Sequence, residues 1–141
     1  MAIVAYADAS LLVALIVPDA LSERAVRFLD CDPTLLISDF AAAEFASALA
    51  LRFRTAALTR DEAQAAFSTF DAWSSRFGER LAITTGDVTR SEQLLRRMDL
   101  NLRAPDAINL CIAQRHGAVV ATFDVRMADA ARALGLEVAP A

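Results

Sequence analysis

Asp8, Glu44, Asp106 and Asp124 are the side chains of this sequence best suited to carry a reaction. Asp8 follows the apolar run Ile3-Val4-Ala5-Tyr6-Ala7, Asp106 follows Ala104-Pro105, and Asp124 follows Val119-Val120-Ala121-Thr122-Phe123. Glu44 lies within Phe40-Ala41-Ala42-Ala43-Glu44-Phe45-Ala46, a stretch too apolar to be a water-facing helical stripe. Burying an unpaired carboxylate is costly or forces it to take up a proton, and several converging on one cleft repel one another unless positive charge lies between them. An all-carboxylate set suits Mg²⁺ or Mn²⁺ better than zinc, which prefers His and Cys. Such ions activate water and stabilise a leaving oxygen at phosphorus, so the chemistry favoured is phosphodiester hydrolysis.

The remaining residues exclude other chemistries. The single histidine, His116, stands beside Gly117 at a helix end and leaves a Ser/His/Asp triad without its base. Cys31 and Cys111 lack zinc or redox spacing and read as reduced, structural thiols. Four glycines include no Gly-x-Gly-x-x-Gly loop, and the absence of lysine argues against a receiver-like phosphoacceptor domain. Taken singly, Asp106 and Asp124 also read as acids that start helices.

The elements that must position these residues alternate between strand and helix, the pattern of a parallel sheet covered by helices. Strands are predicted at 3–7, 34–38, 81–84 and 118–122, with a short last one at 136–138. Helices are predicted over 10–17, stopped by Pro18, and over 21–30, with Val26 and Leu29 facing the core. Asp39 is placed to cap a helix reaching about Arg54, and Thr59-Arg60-Asp61-Glu62 matches a capping box that opens a helix through Phe67, Phe70 and Trp73 to about Phe77. Asp87 is expected to cap a helix to Met98 with Leu94, Leu95 and Met98 as its apolar stripe, and Asp129 to be a helix-surface acid. Pro105 suits the first turn of a helix over 104–116, and a further helix runs to Leu134. The expected fold class is α/β, with a central parallel sheet of about four to five strands flanked by helices. Asp8 and Asp124 then sit beyond the carboxyl ends of two strands, where open parallel sheets place ligands.

Asp8-Ala9-Ser10 after a strand, helical Ala43-Glu44, Ala104-Pro105-Asp106-Ala107-Ile108, and Ala121-Thr122-Phe123-Asp124 with Gly135-Leu136-Glu137-Val138 together resemble a PIN domain. Their order and separations resemble the VapC toxins of bacterial toxin-antitoxin pairs across essentially the whole chain. The resemblance implies that Asp8, Glu44, Asp106 and Asp124 hold one or two Mg²⁺ or Mn²⁺ ions. It also implies an endoribonuclease acting on RNA, a homodimer, and a cognate antitoxin that silences it with a peptide laid into the active-site groove. Ser10 and Thr122 match polar positions that support the metal cluster in the family; each reads equally as a capping or strand-end hydroxyl. Asn109, one turn beyond Asp106, either touches a metal-bound water or is a surface amide. Arg52, Arg54, Arg96, Arg97 and Arg103 are candidates for contacting RNA phosphates, with Arg103 nearest in sequence to the acids.

With 141 residues the chain is expected to form a single domain, 1–141, around one core. Its 14 basic residues are all arginine and are outnumbered by 18 acids, for a net charge of -4. Global electrostatics therefore offer nothing toward a polyanion, and RNA contact must be local or bridged by metal. No membrane span or secretory leader is indicated, so the expected location is the cytoplasm. The 56% apolar content hints at a protein partner. The competing functional class is a PIN-like module that binds RNA or protein without cleaving it.

Overall fold

Short alternating apolar runs supply the strands, and the side chains that alternate along them separate two cores. In the computed structural model, which describes residues 2–140, the elements are β1 (Val4–Ala7), α1 (Ala9–Ile16), α2 (Ser22–Leu29), β2 (Thr34–Ser38), α3 (Asp39–Arg54), α4 (Arg60–Phe77), β3 (Gly78–Leu81), α5 (Thr85–Arg96), α6 (Ala104–Arg115), β4 (Val119–Ala121), α7 (Val125–Ala133) and β5 (Val138–Ala139). The five strands are all parallel in the order β3-β2-β1-β4-β5. The expected α/β class with a parallel sheet is thus what the chain forms.

Ala5, Ala7, Leu35, Ile37 and Ala121 face one side of the sheet and pack with Leu11, Leu12, Phe28, Phe45 and Phe70 from α1 to α4. Tyr6, Leu36 and Val120 face the other side with Leu110, Ile112 and Met127 from α6 and α7, as the two-residue period of a strand requires. Alanine at three strand positions lets α1 approach closely, while the Phe45 and Phe70 rings stack at 4.4 Å to fill the space below α3. Fully burying a side chain of that size contributes about 2–3 kcal/mol.

Chain order reverses at the centre of the sheet. From β1 the chain builds outward through β2 to β3, then returns to lay β4 against the other side of β1. Ala7 pairs with Ala121, so the residues that follow, Asp8 and Thr122, emerge side by side at the carboxyl edge.

Several local expectations are corrected. The third strand is Gly78–Leu81, ahead of the predicted 81–84, because α4 runs directly into it and Gly78 is both helix end and first strand residue. A Cβ on Gly78 would lie 2.6 Å from Ile37 Cδ1 and 3.0 Å from Ser74 O, so a larger residue at the crossing would push Ile37 aside. Ser38 caps α3 by accepting from Ala41 N–H at 2.9 Å, and Asp39 instead pairs with Arg80 on the surface at 2.8 Å. Thr84 caps α5, with Asp87 as the reciprocal member of a capping box inside its first turn. On α2 the inward face is Ala25 and Phe28, one residue earlier than predicted, which leaves Val26 53% exposed. Met98 lies beyond the end of α5 and is exposed, while Leu94 and Leu95 are half-buried. Cys31 is exposed and Cys111 buried, both as free thiols. No helix among the described residues is long and apolar enough to cross a membrane.

Candidate active site

Asp8 is positioned from both sides of the strand reversal. Its backbone N–H donates to Ala121 O at 3.2 Å, extending the β1–β4 ladder by one residue, and its side chain caps α1 by accepting from Leu11 N–H at 3.0 Å. Ser10 Oγ donates to Oδ1 at 2.7 Å, and Thr122 Oγ1 donates to Oδ2 at 2.6 Å. Asp8 is only 5% exposed. Burial raises its pKa, the hydrogen bonds from Thr122, Ser10 and Leu11 oppose the rise, and the charge of Asp124 adds to it.

Thr122 and Ser10 also build the next corner. Thr122 Oγ1 accepts from Asp124 N–H and Ser10 Oγ from Phe123 N–H, both at 2.9 Å. Asp124 then caps α7 by accepting from Met127 N–H with Oδ1 at 3.0 Å, leaving Oδ2 without a hydrogen bond among the described residues. Asp124 thus caps α7, and the Ser10 and Thr122 hydroxyls join Asp8 to the backbone that leads into that cap.

Glu44 and Asp106 come from α3 and α6. Glu44 is half-buried, and Asn109 Nδ2 donates to its Oε1 at 2.6 Å. Burial raises the Glu44 pKa, the Asn109 hydrogen bond opposes this, and the charges of Asp8, Asp106 and Asp124 raise it further. Asp106 lies in the first turn of α6, two residues after the Ala104-Pro105 start, with Arg103 N–H 3.4 Å from Oδ2. Burial and the Asp124 charge raise its pKa, whereas Arg103 N–H and the Arg126 and Arg103 charges lower it.

Glu44, Asp106 and Asp124 line one open cleft of ≈ 830 Å³ together with Arg103 and Arg126; Asp8 is buried outside that lining, bonded to Thr122, with its charge reaching Glu44. Among the described residues no three His, Cys, Asp or Glu side chains stand close enough to share an ion as they are placed. Glu44, Asp106 and Asp124 repel one another across the cleft, and the buried Asp8 carboxylate adds its charge to that of Asp124 in acting on Glu44. Among the described residues each keeps accepting capacity unspent: Glu44 Oε2 and Asp124 Oδ2 accept nothing, Asp8 Oδ2 accepts once, and Asp106 has only the long bond from Arg103. An oxygen-only set with spare lone pairs and mutual repulsion fits a hard divalent cation.

Asn109 is neither a surface amide nor free to rotate. It is 3% exposed and bonded to Glu44, Pro105 O and Tyr6. Tyr6 escaped the sequence reading; the only signal was a lone phenol in an otherwise apolar strand. Arg126 escaped it too, since an arginine on a short amphipathic helix looks like a solvated face. Among the arginines singled out, Arg103 lines the cleft. Arg96 and Arg97 instead pair on the surface with Glu92 and Asp99, and Arg52 and Arg54 lie in the last turn of α3.

The sequence pattern of the PIN domain matches residues 5–133. The chain belongs to the PIN-domain family. Solved structures with the fold of this PIN domain include toxins and toxin-antitoxin complexes, at low identity. A Mycobacterium tuberculosis VapC toxin that cleaves the sarcin-ricin loop matches with a TM-score of 0.71 at 20% identity, over 89% of this chain and 94% of its own. The VapBC2 complex of Rickettsia felis bound to promoter DNA matches at 0.69 and 15% identity, over 97% and 98%. A toxin-antitoxin complex from Klebsiella pneumoniae matches at 0.66 and 21% identity, over 96% of both chains. No curated protein matches this PIN domain in sequence.

Proposed function

We propose that this PIN domain is a metal-dependent endoribonuclease, the toxin of a toxin-antitoxin pair, working in the cytoplasm on RNA. The observation that carries the proposal is the cleft lined by Glu44, Asp106 and Asp124, with Asp8 buried within reach of its charges: burial and the neighbouring carboxylates raise the pKa of Asp8, Glu44 and Asp106, and oxygens stay uncommitted among the described residues. These four residues would hold Mg²⁺ or Mn²⁺. When bound, the cation supplies Lewis acidity toward a phosphodiester and lowers the pKa of a water nucleophile.

The chain's own residues orient and screen. Ser10 and Thr122 hold both Asp8 oxygens, and Asn109 holds one Glu44 oxygen, so neither carboxylate swings out under repulsion from the others. Arg103 and Arg126 stand in the same cleft as the acids, where a guanidinium can grip a phosphate oxygen of a bound RNA strand. Their local positive charge answers the objection raised by a net charge of -4.

The neighbours named as toxin-antitoxin complexes support a cognate antitoxin as partner. Family resemblance supports a homodimer. The test is incubation of purified protein with structured RNAs under matched Mg²⁺, Mn²⁺ and EDTA, with growth after induction in parallel. Metal-dependent cuts abolished by Asp8→Asn and Asp106→Asn are expected. Absence of cuts on every RNA at enzyme excess would favour a silent RNA- or protein-binding module.

A further inference from the structure

Glu44 is tethered through a chain of hydrogen bonds that starts in the sheet. Ser38 Oγ and Tyr6 Oη lie 2.7 Å apart, Tyr6 O–H donates to Asn109 Oδ1, and Asn109 Nδ2 donates to Glu44 Oε1 at 2.6 Å and to Pro105 O at 3.0 Å. A phenol has one proton, and Tyr6 gives it to Asn109, so the Ser38 hydroxyl is the donor to Tyr6. Ser38 Oγ in turn accepts from Ala41 N–H. The chain therefore runs in one direction, from Ser38 through Tyr6 and Asn109 to Glu44.

That direction locks the Asn109 amide. Rotated by half a turn, it would aim its oxygen at a carboxylate and a carbonyl, and its NH₂ at the phenol proton. Ser38 and Tyr6 are 0% exposed and Asn109 3%, so water offers no substitute for the lost partners. Burial also pushes the Tyr6 phenol well above its ordinary pKa, so it stays a donor at neutral pH. The locked amide bridges α3 and α6, the two helices that contribute Glu44 and Asp106, and Glu44 would otherwise be driven outward by three like charges.

We propose that Tyr6 and Asn109 are positioning residues that commit Glu44 Oε1 to the protein, leave Oε2 facing the cleft, and thereby set the affinity of the cleft for a divalent cation. This rests on the metal-dependent reading above. Neither residue touches substrate; both act through Glu44.

The test compares the full-length wild-type chain with Tyr6→Phe and Asn109→Asp. Mn²⁺ binding is measured by calorimetry, and the Asn109 side-chain amide is followed by ¹⁵N–¹H NMR in cation-free protein. Tyr6→Phe retains ring, volume and packing, so a merely structural role leaves Mn²⁺ affinity and the Asn109 signals unchanged. A positioning role weakens Mn²⁺ binding about tenfold or more in both variants. In Tyr6→Phe it also brings the slowly exchanging Asn109 amide protons into fast exchange. Should Asn109→Asp not fold, Tyr6→Phe alone decides. Wild-type Mn²⁺ affinity in the folded variants overturns the proposal. If the wild-type chain itself takes up no Mn²⁺, the functional reading has failed; the Asn109 signals then judge the tether alone, and unchanged signals in Tyr6→Phe overturn it.

Discussion

Thr122 gives its hydroxyl proton to Asp8 at 2.6 Å, across the junction where β1 and β4 emerge together. The same oxygen accepts from Asp124 N–H at 2.9 Å, so one side chain joins two acids that lie 116 positions apart in sequence. Thr122→Val keeps the shape and deletes both bonds. A stability loss of about 1–3 kcal/mol is expected, the range for stranding buried polar partners, together with about tenfold weaker Mn²⁺ binding. Thr122→Ser should recover most of both. Equal losses in Val and Ser variants would refute the role of the hydroxyl.

Asp106→Asn removes a charge from the cleft without removing volume. Cleavage of RNA should fall by more than about 100-fold, beyond the range for outer partners of a metal ligand. The melting temperature without cation should hold or rise slightly, since Glu44 loses a repelling neighbour. Cleavage at the wild-type rate would remove Asp106 from the cation site.

The carboxylates also set opposite pH dependences in two parts of the protein. Asp8, Glu44 and Asp106 have folded-state pKa values raised above their ordinary 3.8, 4.5 and 3.8, so they bind protons more tightly in the folded chain. Their contribution to stability is greatest below those ordinary values and is lost as pH rises through the raised ones. Added Mn²⁺ should reverse this trend, stabilising more at neutral than at acid pH and by about 2.7 kcal/mol at about 100 times Kd. Thermal melts across pH with and without Mn²⁺ measure it; a cation effect independent of pH would contradict the mutual repulsion.

Asp87 behaves in the reverse sense. Its side chain is fully enclosed, and although burial alone would raise its pKa, the hydrogen bonds from Arg115 and Thr84 bring it down to about 2. Arg115 contacts both carboxylate oxygens at 2.9 Å and Arg90 reaches one at 2.8 Å, fastening α5 to α6. The stability this lends is present above 3.8 and lost as pH falls toward 2. Asp87→Asn should cost about 3 kcal/mol or more, because Arg115 is left without its charge partner, and should flatten the acid limb of the unfolding curve. An unshifted denaturation midpoint would show that the ion pair contributes nothing.

Arg103→Ala and Arg126→Ala should weaken RNA binding while Mn²⁺ binding holds or tightens slightly, since each removes a positive charge that acts on Asp106. Each lost phosphate contact on a single strand should lower the slope of log affinity against log salt by about 0.7. Unchanged slopes in both variants would place the RNA elsewhere.

The sheet, its helices and the acids at strand ends were legible because each rests on a local signal: alternation, a cap, an apolar run ending in a carboxylate. The errors lie where a neighbour in space decides. Asp39 and Ser38 compete for one cap; the hydroxyl wins because it can sit inside the sheet edge bonded to Tyr6, while Asp39 finds Arg80 on β3. Asp87 looks like any helix-start acid until Arg115, 28 residues later, is placed over it. Val26 was assigned inward by a one-residue error in helix phase, since the docking of α2 on α1 decides which of two adjacent stripes is covered. Tyr6 and Asn109 lie 103 positions apart and acquire a shared role only through the pairing of strands and helices.

The strands that end the sheet are short, β5 with two residues and β3 with four, and Glu79 and Arg80 on β3 are exposed. Edges so brief, one of them also charged, give another backbone little to align with. The proposed antitoxin would then be recognised by its side chains against helices and cleft, which would make the choice of companion a matter of residue identity, open to divergence from one lineage to the next without disturbing the scaffold.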